Sequence, residues 1–360
     1  MTDSRLTKWG LALAAPVLAL IAAFLVTSLV LVIAGDSVGG VWGQILSVPG
    51  DRQIVNIINA ATVYYLSAVA VAIGFRMNLF NIGVDGQYRV ASFAAAYVAG
   101  QAWLPGYLNI ALAVIAAMLV GALWAGIAGI LRTTRGVSEV ISTIMLNAIA
   151  TALVAYLLRK VAVRADGSNA ISTQPIPESS RIPGFSFGES NTKIYGFIIV
   201  AVVVGFLFWL VINRTRFGFE LRATGLSETA AVASGVNVKK MMVTTMLLSG
   251  AAAGLVGMPL LFGQDFAYGS TTQSGLGFAG IAIALLGRNH PVGIAIGALL
   301  FAFLDEQSNP LQIQLDVSPD IVKITQGVIV LTVVIAYEVV RRYGVRLEQR
   351  RVAEVLEVKA

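Results

Sequence analysis

The chain has 360 residues, of which 57% are hydrophobic and only 12% charged, and its mean hydropathy is +0.81. A soluble domain carries about a quarter charged residues, so an ordinary soluble fold is excluded, and the net charge of +6 reads as basic membrane-edge loops rather than a nucleic-acid surface. The absence of cysteine excludes disulfides, thiolate metal sites and cysteine nucleophiles, and the single His290 excludes a multi-histidine metal cluster.

Leu11–Ala34 is an apolar run without a charge, preceded by Arg5 and Lys8. It exceeds the h-region of a cleaved signal peptide and is read as the first span. Further spans are predicted at Ile54–Gly74, Ile82–Ala99 (broken), Leu108–Leu131, Val140–Leu158, Ile194–Ile212 and Met241–Phe262. Two short pieces follow, Gly275–Leu286 and Pro291–Leu304, and then a last span at Ile321–Val340. The short pieces barely cross a hydrocarbon core of about 30 Å, so they are either two spans or one re-entrant hairpin. The expected class is therefore all-α: one polytopic membrane domain over residues 1–360 with about ten transmembrane helices. Both termini then share a side, and 17 of the 25 Lys and Arg fall on that side, which predicts cytoplasmic termini and a basic cytoplasmic tail at 341–360. The Arg159–Lys160–Arg164 group opposes that orientation.

Two connections stand out. The segment 159–193 is polar, holds Pro175, Pro177 and Pro183, and is too long for a simple link. It is read as an external loop, either solvated or a docking surface for an outside partner. The segment 213–240 is expected inside. There Ser227 suits a helix N-cap and Gly235 the position after a helix end, leaving two turns of helix that need something to pack on. The small residues Ala230, Ala231 and Ala233 suit close insertion into another protein.

The stretch "GFRMNLFNIGVDGQYRVA" (Gly74–Ala91) puts charge and amides at membrane depth. Ionisable groups there usually face a bundle interior or a cavity. Asp85 and Arg89 stand at i, i+4, so either the acid only neutralises the base or it also serves a ligand. Asn81 lies one turn earlier, and Gly83 and Gly86 weaken the helix at that point. A helix broken at this depth is tolerated only where protein or a water-filled cavity covers it. Asn81, Asp85 and Gln87 are thus the candidate substrate-path residues. The glycines of "SGLGFAGIAIALLG" mark a second interruption late in the chain, and paired interruptions in two halves point to a transport path. A polar stripe of Glu139, Ser142, Thr143 and Asn147 shares one side of the following span, as path lining or as interhelical glue. The dipeptide Gly-Lys never occurs, so there is no P-loop, and no catalytic triad or metal motif is present. No enzyme activity, cofactor or metal is expected. An ion-coupled secondary transporter of a small polar solute is the alternative to an ATP-driven one.

"MNLFNIGVDGQ" (Met77–Gln87) resembles the "FNIGVEGQ" signature of permease subunits of ABC importers for nucleosides and simple sugars, with Asp85 where that family commonly has Glu. "TAAVASG" (Thr229–Gly235) resembles the E-A-A-x-x-x-G loop by which such permeases touch their ATPase; Thr229 replaces the first Glu and Glu228 adjoins it. The resemblance spans roughly Ile54 to Arg342. It implies a type II importer fold with inverted repeats and broken helices, in a bacterial plasma membrane. It implies an ATP-binding subunit on another chain, a second permease, and an extracytoplasmic binding protein or lipoprotein. It assigns ATPase coupling to Ser227, Glu228, Thr229, Ala230, Ala231 and Gly235. The cargo it implies is a nucleoside or related solute, with purine nucleosides, pyrimidine nucleosides, ribose-like sugars and riboflavin left open.

Overall fold

A computed structural model describes residues 21–164, 170–269 and 275–357. The first half of the Leu11–Ala34 run, with Arg5 and Lys8, lies outside the described residues, as does Lys359 of the basic tail. Contacts divide the chain into two compact units, one comprising Pro49–Ala302 and the other the described parts of Met1–Val48 and Phe303–Ala360.

The second-named unit holds α1 (Ile21–Ala34), α2 (Val38–Ile45), α14 (Ser308–Leu315) and α15 (Asp320–Glu357). Gln307 is fully buried there, donates to the Ser47 carbonyl at 3.2 Å and accepts from Gln44 at 3.3 Å. These bonds satisfy an amide that would be costly to bury alone.

The larger unit begins with α3 (Asp51–Phe75), followed by a break at 76–83 and α4 (Val84–Gln101). Then come α5 (Gly106–Arg135), α6 (Glu139–Val161), α7 (Ile198–Arg214), α8 (Arg216–Leu226), α9 (Glu228–Ala233) and α10 (Val238–Gly254). A single turn, α11 (Met258–Leu260), runs into a π-helical turn at Leu261–Asp265, then α12 (Leu276–Leu286) and α13 (Pro291–Glu306), whose residues from Phe303 on belong to the other unit. Each predicted span that lies within the described residues has a helix. Among the described residues, five helical stretches are long and apolar enough to cross a membrane on their own, and α7 with α8, bent by 71°, makes a sixth if the pair is one span. The helix α4 falls short of that test because its first two turns carry Asp85, Gln87 and Arg89. At 11 residues α12 is about 16 Å long, half a bilayer core, and it turns back into α13 through 287–290.

Small residues set the core. In α5, Gly121 and Ala125 face Gly250 and Gly254 of α10 so closely that a Cβ on Gly254 would come within 2.7 Å of the Ala117 carbonyl carbon. Lipid offers no hydrophobic drive between helices, so close backbone packing of this kind is what holds them.

The segment 159–193 is not purely a coil. Val163–Arg164 (β1) pairs antiparallel with Ile171–Ser172 (β2), in the register Val163↔Ser172. From Thr173 onward the chain lies on the turn after α10. Thr173 N donates to the Tyr268 carbonyl at 2.9 Å, Ile176 N to that of Phe266 at 2.7 Å, and the Arg181 guanidinium sits 4.1 Å from the Phe266 ring centre. Thr173, Ile176 and Ser180 are buried. The prolines thus shape a cap fixed to its own chain, with Glu178, Phe185 and Phe187 left on its exposed side.

Candidate functional site

The polar stretch around α4 folds into a closed network. Asn78, at φ +62°, turns the chain out of α3, and Asn81 returns it to the core. Asn81 and Gln87 are almost fully buried and bond each other twice, at 2.8 and 3.0 Å. Asn81 also donates to Ser249 Oγ of α10 at 2.8 Å and accepts from Gly83 N at 3.1 Å. Sequence reading missed Ser249. Its signal was a lone hydroxyl inside a small-residue run, and it donates in turn to the Ala70 carbonyl.

Asp85 is the joint between the two interrupted helices. One carboxylate oxygen binds Arg89 Nε at 3.0 Å. The other accepts from Gly275 N at 2.9 Å and Gly277 N at 3.4 Å, at the first turn of α12. A carboxylate there satisfies orphan amides and complements the helix dipole. Gly277 permits the approach, since its Cβ would lie 2.7 Å from Asp85 Cα. Both readings of Asp85 taken from the sequence omitted this second duty, because Gly275 is 190 positions away.

Asn147 of α6 crosses to the break, donating to the Ile82 carbonyl at 3.0 Å and accepting from Gly86 N at 2.8 Å. It satisfies backbone groups that the break leaves without helical partners. A Cβ on Gly86 would meet Asn147 Oδ1 at 2.8 Å, which explains the glycine. Thr143 is buried against Gly83 of the break and Ser142 is buried as well, but both spend their hydroxyls on their own helix, bonding the Glu139 and Ser138 carbonyls. Glu139 is buried, pairs with Arg132 at 2.7 Å and accepts from Phe80 N at 3.4 Å.

The 213–240 segment meets the same break from the other side. In α8, a Cβ on Gly225 would lie 2.9 Å from the Met77 backbone, and Thr245 donates to Met77 Sδ at 3.2 Å. Ser227 caps α9 by accepting from Ala230 N at 3.3 Å, and Gly235 closes it at φ +82° with open space where a Cβ would stand. The small-residue face divides. Ala231 is buried against its own chain, while Thr229, Ala230, Val232 and Ala233 are exposed beside Leu226. Glu228 is exposed as well. Among the described residues no cluster of three or more His, Cys, Asp or Glu could hold a metal ion.

Apolar spans, two half-helices meeting at one buried carboxylate, and an exposed short helix tied to the break define a multi-pass membrane transport protein. The chain belongs to the family described as "Branched-chain amino acid transport system / permease component", which matches residues 53–334. It is 36% identical to the guanosine ABC transporter permease protein NupP of Bacillus subtilis, over 90% of this chain and 93% of that one. It is 30% identical to the nucleoside ABC transporter permease protein NupB of Lactococcus lactis, over 89% of this chain and 90% of that one. A glucose ABC transporter permease protein, TsgB13 of Haloferax volcanii, is 29% identical over 94% and 92%. The chain is a permease subunit of an ABC transporter, which sets aside the ion-coupled alternative.

Proposed function

We propose that this chain forms half of the membrane path of an ATP-driven nucleoside importer in a bacterial plasma membrane, with both termini in the cytoplasm. The observation that carries the reading is the 36% identity to a guanosine permease across 90% of the chain. Coverage that wide leaves too few residues at the ends to omit either the α4 break or α9. ATP hydrolysis falls to a separate ATP-binding chain, since no P-loop is present. A second, different permease completes the path, and an extracytoplasmic binding protein or lipoprotein delivers the cargo to the exposed side of the 159–193 cap. In this reading Asn81, Asp85, Gln87, Ser142, Thr143 and Asn147 hold the shape of the path at the break. Uptake of labelled guanosine, with glucose in parallel, by the assembled complex tests the cargo.

Coupling runs from Ser227, Glu228, Thr229, Ala230, Ala231 and Gly235, through α8, to Met77. Gly235→Val places a β-branched side chain at a left-handed position, a cost of about 1–2 kcal/mol. The expected result is normal insertion, retained ATPase activity of the complex and loss of uptake. Uptake at wild-type rate in Gly235→Val counts against α9 as the transmitting element.

The cap and the termini have opposite sides in this topology. The chain has no cysteine, so one added thiol reports alone. Ser180 is buried and unsuited to labelling, whereas the Glu178 side chain is 90% exposed. Glu178→Cys is expected to react with a membrane-impermeant maleimide on intact cells. Reaction only after the cytoplasmic face is opened refutes the orientation.

A further inference from the structure

One turn beyond Arg89, α4 lines a small, partly enclosed pocket together with the turn after α10. Its walls are Tyr88 and Ser92 on one side and Gly257, Asp265 and Tyr268 on the other. Three features set it apart from packing. Ser92 is 3% exposed, and its Oγ, which faces Gly257, has no hydrogen-bond partner among the described residues. A buried hydroxyl left unpaired is unfavourable, so it points to a ligand, a water or another state. Asp265, on the opposite wall, is exposed and forms no ion pair with a described residue. Between them Tyr88 and Tyr268 supply two aromatic walls, the latter braced edge-on by Phe93 with ring centres 5.8 Å apart.

We propose that this pocket is a cargo-binding site, in which Asp265 and Ser92 take the ribose hydroxyls of a nucleoside and the tyrosines flank it. The inference rests on the nucleoside-importer reading above and names residues that reading does not use. An ionised carboxylate only accepts hydrogen bonds, so it selects a ligand rich in O–H donors. The same charge repels phosphate, which favours nucleosides over nucleotides. Here the pocket has room for about one water, so the site is shut. Its two walls belong to different elements, and the wall bearing Asp265 is a π-helical turn followed by Phe266 at φ +50°. Turns of this kind mark functional positions and strained backbone. Displacing that turn from α4 enlarges the pocket.

The test is uptake of tritiated guanosine by cells carrying the chain with its partner subunits, with competition by unlabelled guanosine and by 2′,3′-dideoxyguanosine. Asp265→Asn is expected to raise KM about tenfold and to erase the preference for guanosine over the dideoxy competitor, as loss of a charge-assisted bond implies. Ser92→Ala is expected to raise KM about threefold while membrane levels stay at or above wild type, since the hydroxyl it removes has no partner to lose. If both variants keep KM within about twofold and keep the preference, the pocket holds a water only and the proposal is overturned. A wild-type complex that imports glucose and no nucleoside overturns the nucleoside reading itself, before any variant is measured.

Discussion

Asp85→Asn is expected to destabilise the protein by about 3–5 kcal/mol, because it strands a buried guanidinium. The Asp85 side chain is 8% exposed, but that of Arg89 is 19% exposed, so water recovers part of the lost interaction and the effect falls toward the lower figure. The substitution also weakens the anionic cap on α12, since the acceptor at Gly275 N loses its charge. The double variant Asp85→Asn with Arg89→Gln removes both charges and is expected to recover most of the loss, leaving the weakened cap. Thermal unfolding of the purified chain in detergent measures both. A single variant within about 1 kcal/mol of wild type, or a double variant no better than the single one, removes the ion pair from its structural role.

Gly250→Val is expected to cost about 3 kcal/mol or more and to abolish accumulation in the membrane. An added Cβ meets the Ala125 side chain at 2.5 Å and the Gly121 carbonyl carbon at 2.9 Å. Backbone on the facing helix cannot swing aside as a long side chain would, so α5 and α10 have to separate. Gly327→Ala is the control. Nothing lies within 4 Å of its added Cβ, and it sits inside a helix, so it is expected to be neutral or to gain about 0.5–1 kcal/mol. Equal membrane levels of Gly250→Val and Gly327→Ala overturn the close-packing account.

Local chemistry made part of this protein legible in its sequence. Apolar runs fixed where helices form, because in lipid each span must satisfy its backbone internally. Ser227 and Gly235 announced the ends of α9, since a cap needs only one side chain and a left-handed position only the absence of one. The Asp85–Arg89 pair was readable from its spacing alone. The family, too, was written in Met77–Gln87 and Thr229–Gly235, and its match covers residues 53–334.

The tertiary structure decided whatever depended on distant partners. Nothing near Asp85 in the chain indicates Gly275, nothing near Asn81 indicates Ser249, and Asn147 gives no sign that it mends the break beside Gly86. The 159–193 segment reads as an open loop until Ile176 and Thr173 are seen bonded to the turn after α10. Ser92 and Asp265 carry no motif, and they share a pocket only because α4 and the π turn lie side by side. Periodicity and capping act within one or two turns of a helix, so they predict elements. A hydrogen bond between residues far apart in sequence exists only once folding has placed them within 3 Å or so of each other, and no local pattern encodes that placement.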